Sequence, residues 1–225
     1  MGNADWLFAL GPPALVALAA RWLGVRAARD QARLERARPG LIRSLTPGEW
    51  AWVEGAAEPL SPELRSPVTS RPVAYYEYSV VDLGERGQIL EVHEDDTSPP
   101  LLYLRDGEYR VPVRLARLPR EDELDLLHQH EEPALSMLGP SRTRRLAERG
   151  IPAGDRLAAW GQLQVEKLPG GEQAAVLVGR LARVPREELL SRLRRQGERW
   201  SAWLAYLPLL FAAAWLYWVL VLRPG

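Results

Sequence analysis

Three histidines occur in the chain. Two of them stand two residues apart in His128-Gln129-His130-Glu131-Glu132. Residues at that spacing share one face of a strand, and the carboxylates beside them could complete a metal site or an acid–base pair. The spacing is not the i, i+4 pattern of a helical zinc site, and a run of solvated charges accounts for the same residues. His93-Glu94-Asp95-Asp96 reads as a charged turn after a strand and admits the same two readings. The serines lie in turn contexts, Ser66-Pro67 and Ser98-Pro99, without the strand–turn–helix pattern of a hydrolase nucleophile. Gly170-Gly171 reads as a hairpin turn and not as a phosphate-cradling loop. Tyr75, Tyr76 and Tyr78 could form a binding face, but on a strand Tyr76 and Tyr78 share one side and Tyr75 the other, which core packing also produces. No catalytic, cofactor-binding or metal-binding residue is assigned on this basis, and no cofactor is expected. A hydrolase or metal-dependent enzyme built on His128 and His130 is the enzymatic alternative.

Composition narrows the classes. Acids and bases balance at 29 each, so no global field points to nucleic acid. The chain contains no cysteine, which excludes disulfides, thiol nucleophiles and cysteine-based zinc sites. Lys167 is the single lysine; the arginine, alanine and leucine content is what a GC-rich bacterial genome encodes.

The elements that would position these residues are mostly strands. Glu49 to Gly55 alternates polar and apolar residues. Val73 to Val81 is dense in β-branched and aromatic residues, and Gln88 to His93 follows as another strand. Leu101–Leu104 and Tyr109–Leu115 flank Asp106-Gly107, a hairpin signal. Pro119 to Glu132 reads as an acidic loop or short helix. Ser141 to Gly150 reads as a short helix with a serine cap and a glycine stop. Arg156–Glu166 and Gln173–Val184 pair as strands across Pro169-Gly170-Gly171. Ala27–Ala37 is helical, and Pro185 opens a second helix with Glu187 and Glu188 at its positive end.

Both ends of the chain are apolar. Trp203 to Leu222 carries no charge, and about 20 such residues at about 1.5 Å each span the roughly 30 Å core of a bilayer. Trp6 to Val25 is a weaker span, interrupted by Pro12 and Pro13; its start lacks the bases of a signal peptide. The expected fold class is therefore an α+β membrane protein in which two transmembrane helices flank a β-rich domain, partly open barrel or sandwich-like. The expected division is a first transmembrane helix over 5–25, a basic juxtamembrane helix over 26–44, a β-rich domain over 45–185, a connecting helix over 186–200 and a second transmembrane helix over 201–222. Arginines cluster after the first span and before the second, so the positive-inside rule places the middle domain in the cytoplasm and both termini outside a bacterial inner membrane.

The turn-rich stretch Ser66-Pro67-Val68-Thr69-Ser70-Arg71-Pro72 and the strand Val73 to Tyr78 resemble the "SP-x-[ST]-x-x-P-x-x-Y-Y" lead-in of the GIDE domain, also called BAM, "beside a membrane". Asp106-Gly107 with Val111 to Val113 is similar to that family's hairpin. Gly154-Asp155 with Trp160-Gly161 is similar to its late strand, and Pro185 to Leu190 to its returning helix. The best-known relatives are organelle outer-membrane ubiquitin ligases with two spans and a cysteine-rich RING. A chain without cysteine has no RING, so the resemblance does not imply ligase activity. It implies a non-enzymatic, membrane-anchored module that presents its β-domain to a protein partner or signal, with lipid bilayer as a second partner and self-association of the chain as a further mode. A membrane-perturbing effector is the remaining alternative. No nucleic-acid partner is expected.

Overall fold

A computed structural model describes residues 5–40, 46–119, 123–134 and 142–217. The chain forms two compact units, one of helices from the two ends (1–35 and 186–225) and one of strands (36–185).

The helical unit consists of α1 (Asp5–Arg36) and α2 (Arg186–Tyr217). On α1, Ala20, Ala27, Asp30 and Leu34 are buried, spaced seven, three and four residues apart. On α2, Leu189, Leu193, Gly197, Trp200 and Leu204 make a half-buried stripe of the same period. Stripes of that spacing keep two helices in register along their length. The pair is antiparallel: a Cβ on Gly24 would lie 3.5 Å from Cβ of Trp200, while a guanidinium nitrogen of Arg186 donates at 3.0 Å to the carbonyls of both Leu34 and Glu35. Those carbonyls belong to the last turn of α1 and lack helical partners, so a cation there satisfies orphan acceptors and the negative end of the helix dipole together.

The expectation of two transmembrane helices, with the integral inner-membrane location and cytoplasmic middle domain that followed from it, is corrected. Among the described residues no helix is long and apolar enough to cross a membrane. α1 runs on from its apolar start into Arg21, Arg26, Arg29 and Asp30. Residues 218–222, the far end of the expected second span, lie outside the described residues.

In the strand unit, β1 (Arg38–Pro39) lies beside β2 (Trp50–Glu58). β2 pairs with β5 (Leu101–Asp106), which forms a hairpin with β6 (Tyr109–Leu115) through Gly107 at φ 61°. β6 runs parallel to β10 (Gln173–Ala182), and β10 is antiparallel to β9 (Arg156–Lys167). β9 then returns to β2 along Trp50–Ala56, closing a five-stranded barrel. Strand count and the crossing that sets β6 beside β10 are those of a Greek-key barrel of the OB type. Val53, Leu102, Leu104, Val113, Leu163 and Leu177 fill its interior.

The barrel needs glycine where its strands approach closely, at Gly55 against the Arg105 backbone and at one facing pair. Gly161 and Gly179 face each other in the β9–β10 register. A Cβ on either would run into a backbone carbonyl of the other strand, Val178 or Trp160 respectively. Such close approach marks the tight bends of small barrels.

Two excursions from the barrel build a second sheet. β3 (Val73–Leu83) and β4 (Ile89–Thr97) emerge between β2 and β5; β7 (Asp125–Ala134) and β8 (Arg142–Pro152) emerge between β6 and β9. They assemble as β4-β3-β8-β7. Here three expectations fail: the described parts of the segments read as an acidic loop or short helix and as a capped short helix form the strands β7 and β8, and the charged turn read at His93–Asp96 is the second half of β4. β8 is paired on both sides, to β3 along its length and to β7. These long-range ladders override the local cap and stop signals, as tertiary context commonly overrides propensity. The β-rich part of the expected fold class stands in corrected form, a closed barrel with a separate open sheet.

Candidate functional site

The second sheet gathers most of the charged side chains considered for chemistry. Its β3 carries Asp82 at the end of an apolar run, nearly fully buried at 4% exposure. The register sets Asp82 opposite Glu91 on β4 and opposite Arg144 on β8, and Arg144 opposite Glu132 on β7. Across the four strands the row reads acid, acid, arginine, acid, so Arg144 is the one cation set among three carboxylates. Nε of Arg144 lies 3.0 Å from one Asp82 oxygen, and Nε2 of His93 lies 2.8 Å from the other. The same His93 nitrogen is 3.2 Å from an Arg144 guanidinium nitrogen. A ring nitrogen that donates to a carboxylate has no lone pair left for a guanidinium, so His93 Nε2 serves one neighbour at a time. Hydrogen bonds from Arg144 first, then from His93, hold Asp82 below the usual carboxylate range, and Asp82 raises Arg144 in return.

Asp82, Glu91 and His93 offer three possible metal-ligand atoms within 4.8 Å of one another among the described residues. The donor set does not fit a metal well. The Arg144 guanidinium already bonds Asp82 and lies 3.2 Å from His93 Nε2, and a divalent ion would have to displace that cation. What the arrangement does chemically is neutralise a buried carboxylate. The sequence drew attention to His93 but not to Asp82 or Arg144, because Arg144 lay in a segment read as helix.

The other sequence candidates separate. His128 and His130 lie on the edge strand β7, opposite Glu148 and Leu146. His130 is exposed and sits 4.0 Å from Glu132, a loose ion pair in solvent. Tyr75 is fully buried in the barrel-side core, as core packing predicts. Tyr76 and Tyr78 lie on the opposite side and reach β4: their hydroxyls donate to Asp96 at 2.9 Å and to Glu94 at 3.3 Å. Desolvation, followed by these carboxylates, raises both phenols above their ordinary value.

The Ser-Pro dipeptides prove to be anchors. Ser66 and Ser98 are each 2% exposed. Ser98 Oγ accepts from the Tyr76 amide at 3.0 Å, tying the end of β4 to β3. Ser66 Oγ bonds Thr69 Oγ1 and accepts from the Arg71 amide. Above this turn lies Glu148, fully buried, which accepts from the Val68 and Thr69 amides at 2.9 and 3.2 Å. The motif that resembles the GIDE lead-in is therefore a turn clamped by a buried carboxylate of β8. Gly154-Asp155, from another quoted motif, is likewise a turn. Gly154, at φ 92°, exchanges backbone hydrogen bonds with Ala57 together with Asp155.

At that turn Asp155 and Asp125 share the guanidinium of Arg183 at 3.4 and 3.1 Å. Burial raises Asp155 above the usual carboxylate range, with Asp125 adding to the shift and Arg183 opposing it. The pair is a structural clamp between the start of β7 and the start of β9.

The most open surface is β4. It is an edge of its sheet, and all nine of its residues are exposed. Ile89, Leu90 and Val92 show 60, 43 and 55% of their surface. Glu94, Asp95 and Asp96 follow.

No family model, no curated protein and no solved structure matches the chain. No enzyme family is thus found for it, and the membrane, GIDE and ligase vocabulary suggested by the motifs gains no support from these comparisons.

Proposed function

We propose that this chain is a non-enzymatic binding module with two working surfaces: the open edge of β4 receives an extended segment of a protein partner, and the apolar stretch of the helical unit contacts lipid at its surface. One observation carries the first half. Among the described residues β4 pairs with β3 on one side only, and the backbone groups of its other side lie beside exposed apolar side chains. Strand addition uses such an edge: main-chain hydrogen bonds supply affinity and alternate side chains supply specificity.

Charge selects the occupant. Two copies of β4 paired together would bring Glu94, Asp95 and Asp96 against like charges, which is unfavourable across strands. A basic segment pairs without that cost. The resemblance to a partner-binding domain points the same way.

The test is proximity labelling in cells from a tag in the loop after β2, comparing the natural chain with one carrying Glu94→Lys, Asp95→Lys and Asp96→Lys. These positions are exposed, and circular dichroism of the variant checks folding, because it also removes the acceptors of the Tyr76 and Tyr78 hydroxyls. A reproducible set of labelled proteins that disappears in the variant is the expected result. The same set in both would remove β4 as the docking strand.

A further inference from the structure

On α2, Arg192, Arg195, Gln196, Arg199, Trp200 and Trp203 line an open pocket of about 440 Å³. Its cations are unequally satisfied. Arg192 is held by Glu188 at 2.6 Å. Arg195 bonds only neutral oxygens of Ser191, at 3.3 and 3.4 Å. Arg199 makes no hydrogen bond or ion pair among the described residues. Two guanidinium groups thus face the pocket without a carboxylate, and a planar guanidinium matches a phosphate oxygen pair.

Chemistry changes in one direction along the helix. From Arg195 to Arg199 and from Arg199 to Trp203 are each about 6 Å of axial rise. Beyond Trp203, itself 56% exposed, Tyr206 and Leu209 are exposed at 59 and 66%. Cation, then indole, then hydrocarbon is the order of layers met on entering a lipid surface from water.

We propose that this pocket binds the phosphate headgroup of an anionic phospholipid, with Arg195 and Arg199 on the phosphate, Gln196 at the ester region and Trp203 against the first methylenes. The inference rests on the lipid-contact half of the function proposed above and specifies its ligand. A free phosphate shares the headgroup chemistry but would leave the exposed Trp203–Leu209 face unused, so lipid is the occupant. No crossing of a bilayer is involved.

Flotation of the full chain with vesicles tests it. Vesicles of phosphatidylcholine alone are compared with phosphatidylcholine mixed with phosphatidylglycerol, for the natural chain, for Arg195→Gln with Arg199→Gln, and for Trp203→Ala. At roughly fivefold per arginine near an anionic surface, the double substitution should lower affinity for the mixed vesicles about thirtyfold and leave any binding to phosphatidylcholine alone unchanged. Trp203→Ala should weaken binding to both. Circular dichroism of each variant confirms that the helices persist. Equal binding of the natural chain to both vesicle types would overturn the headgroup site while leaving lipid contact standing. Absence of binding to either would remove both. Unchanged binding of the double variant would overturn the arginine assignment. Displacement by inorganic phosphate combined with an inert Trp203→Ala would make the pocket a phosphate site and overturn lipid as the ligand.

Discussion

The barrel and the four-stranded sheet alternate along the same chain, yet they resolve their backbone edges in opposite ways. The barrel joins β9 back to β2 and so removes its edges; its strands are mostly buried, and its closure relies on two opposed glycines. The sheet remains open at β4 and β7, and both edge strands are acidic and exposed. In the barrel, stability is a matter of shape. In the sheet it is a matter of charges and turns, each substitutable with smaller cost. The open edge is the surface to which the proposed function assigns a partner.

The largest effect that would test this contrast is expected at the closure. Gly179→Val should abolish cooperative unfolding of the barrel or lower its stability by more than about 4 kcal/mol, because a Cβ meets backbone that cannot move aside. Urea unfolding measures this, and near-natural stability would show that closure tolerates a side chain. Next in size is Glu148→Ala. It leaves the amides of Val68 and Thr69 without their acceptor and should cost roughly 2–4 kcal/mol by the same measurement.

Two aspartates should then respond to acid with opposite sign. Asp82 is depressed in the folded sheet. Its contribution is therefore fully present above the unfolded value, about 3.9, and is lost as pH falls through the lower folded value. Asp155 is raised. Its contribution is present below about 3.9 and lost as pH rises through the higher folded value. Thermal unfolding of Asp82→Asn against pH should lack the acid-side loss, and Asp155→Asn should lack the decline that sets in above about pH 4. Parallel curves for both variants and the natural chain would remove the electrostatic account. The smallest effect belongs to the histidines of the open edge. His128→Ala and His130→Ala should each change stability by less than about 0.5 kcal/mol, with no shift of the melting temperature on adding zinc. A clear zinc-dependent shift would revive the metal-enzyme alternative.

Legibility followed the range of the forces. Strands whose own residues alternate or are β-branched, such as Val73–Leu83, and hairpins announced by Asp106-Gly107 or Gly170-Gly171 were readable, because the signal lies within a few residues. β8 was not. Gly150 and the serine read as a cap before it, which lies outside the described residues, are helix signals, and the strand exists because β3 and β7 supply hydrogen bonds from far along the chain. With β8 misread, Arg144 and Glu148 could not be placed beside Asp82 and the Ser66 turn. The same holds for the candidate histidines, whose separation from any third ligand depends on strand register. The transmembrane expectation came from hydropathy over a window; for the first span that window gives little weight to Arg21 and none to Arg26, Arg29 and Asp30, which continue the same helix α1.

By itself the sequence determined the β-rich middle, the positions of most turns, two terminal helices with an arginine-rich flank, and the exclusion of every cysteine chemistry. Composition, local φ preference and side-chain alternation decide those, and all act over short distances. Only the tertiary structure decided that the barrel closes, that its excursions build a second sheet with an exposed acidic edge, and that Asp82 is neutralised by Arg144. Those depend on which distant strands meet, and that choice is made by burial of shared apolar surface and by ladder register, neither of which a local stretch of residues contains.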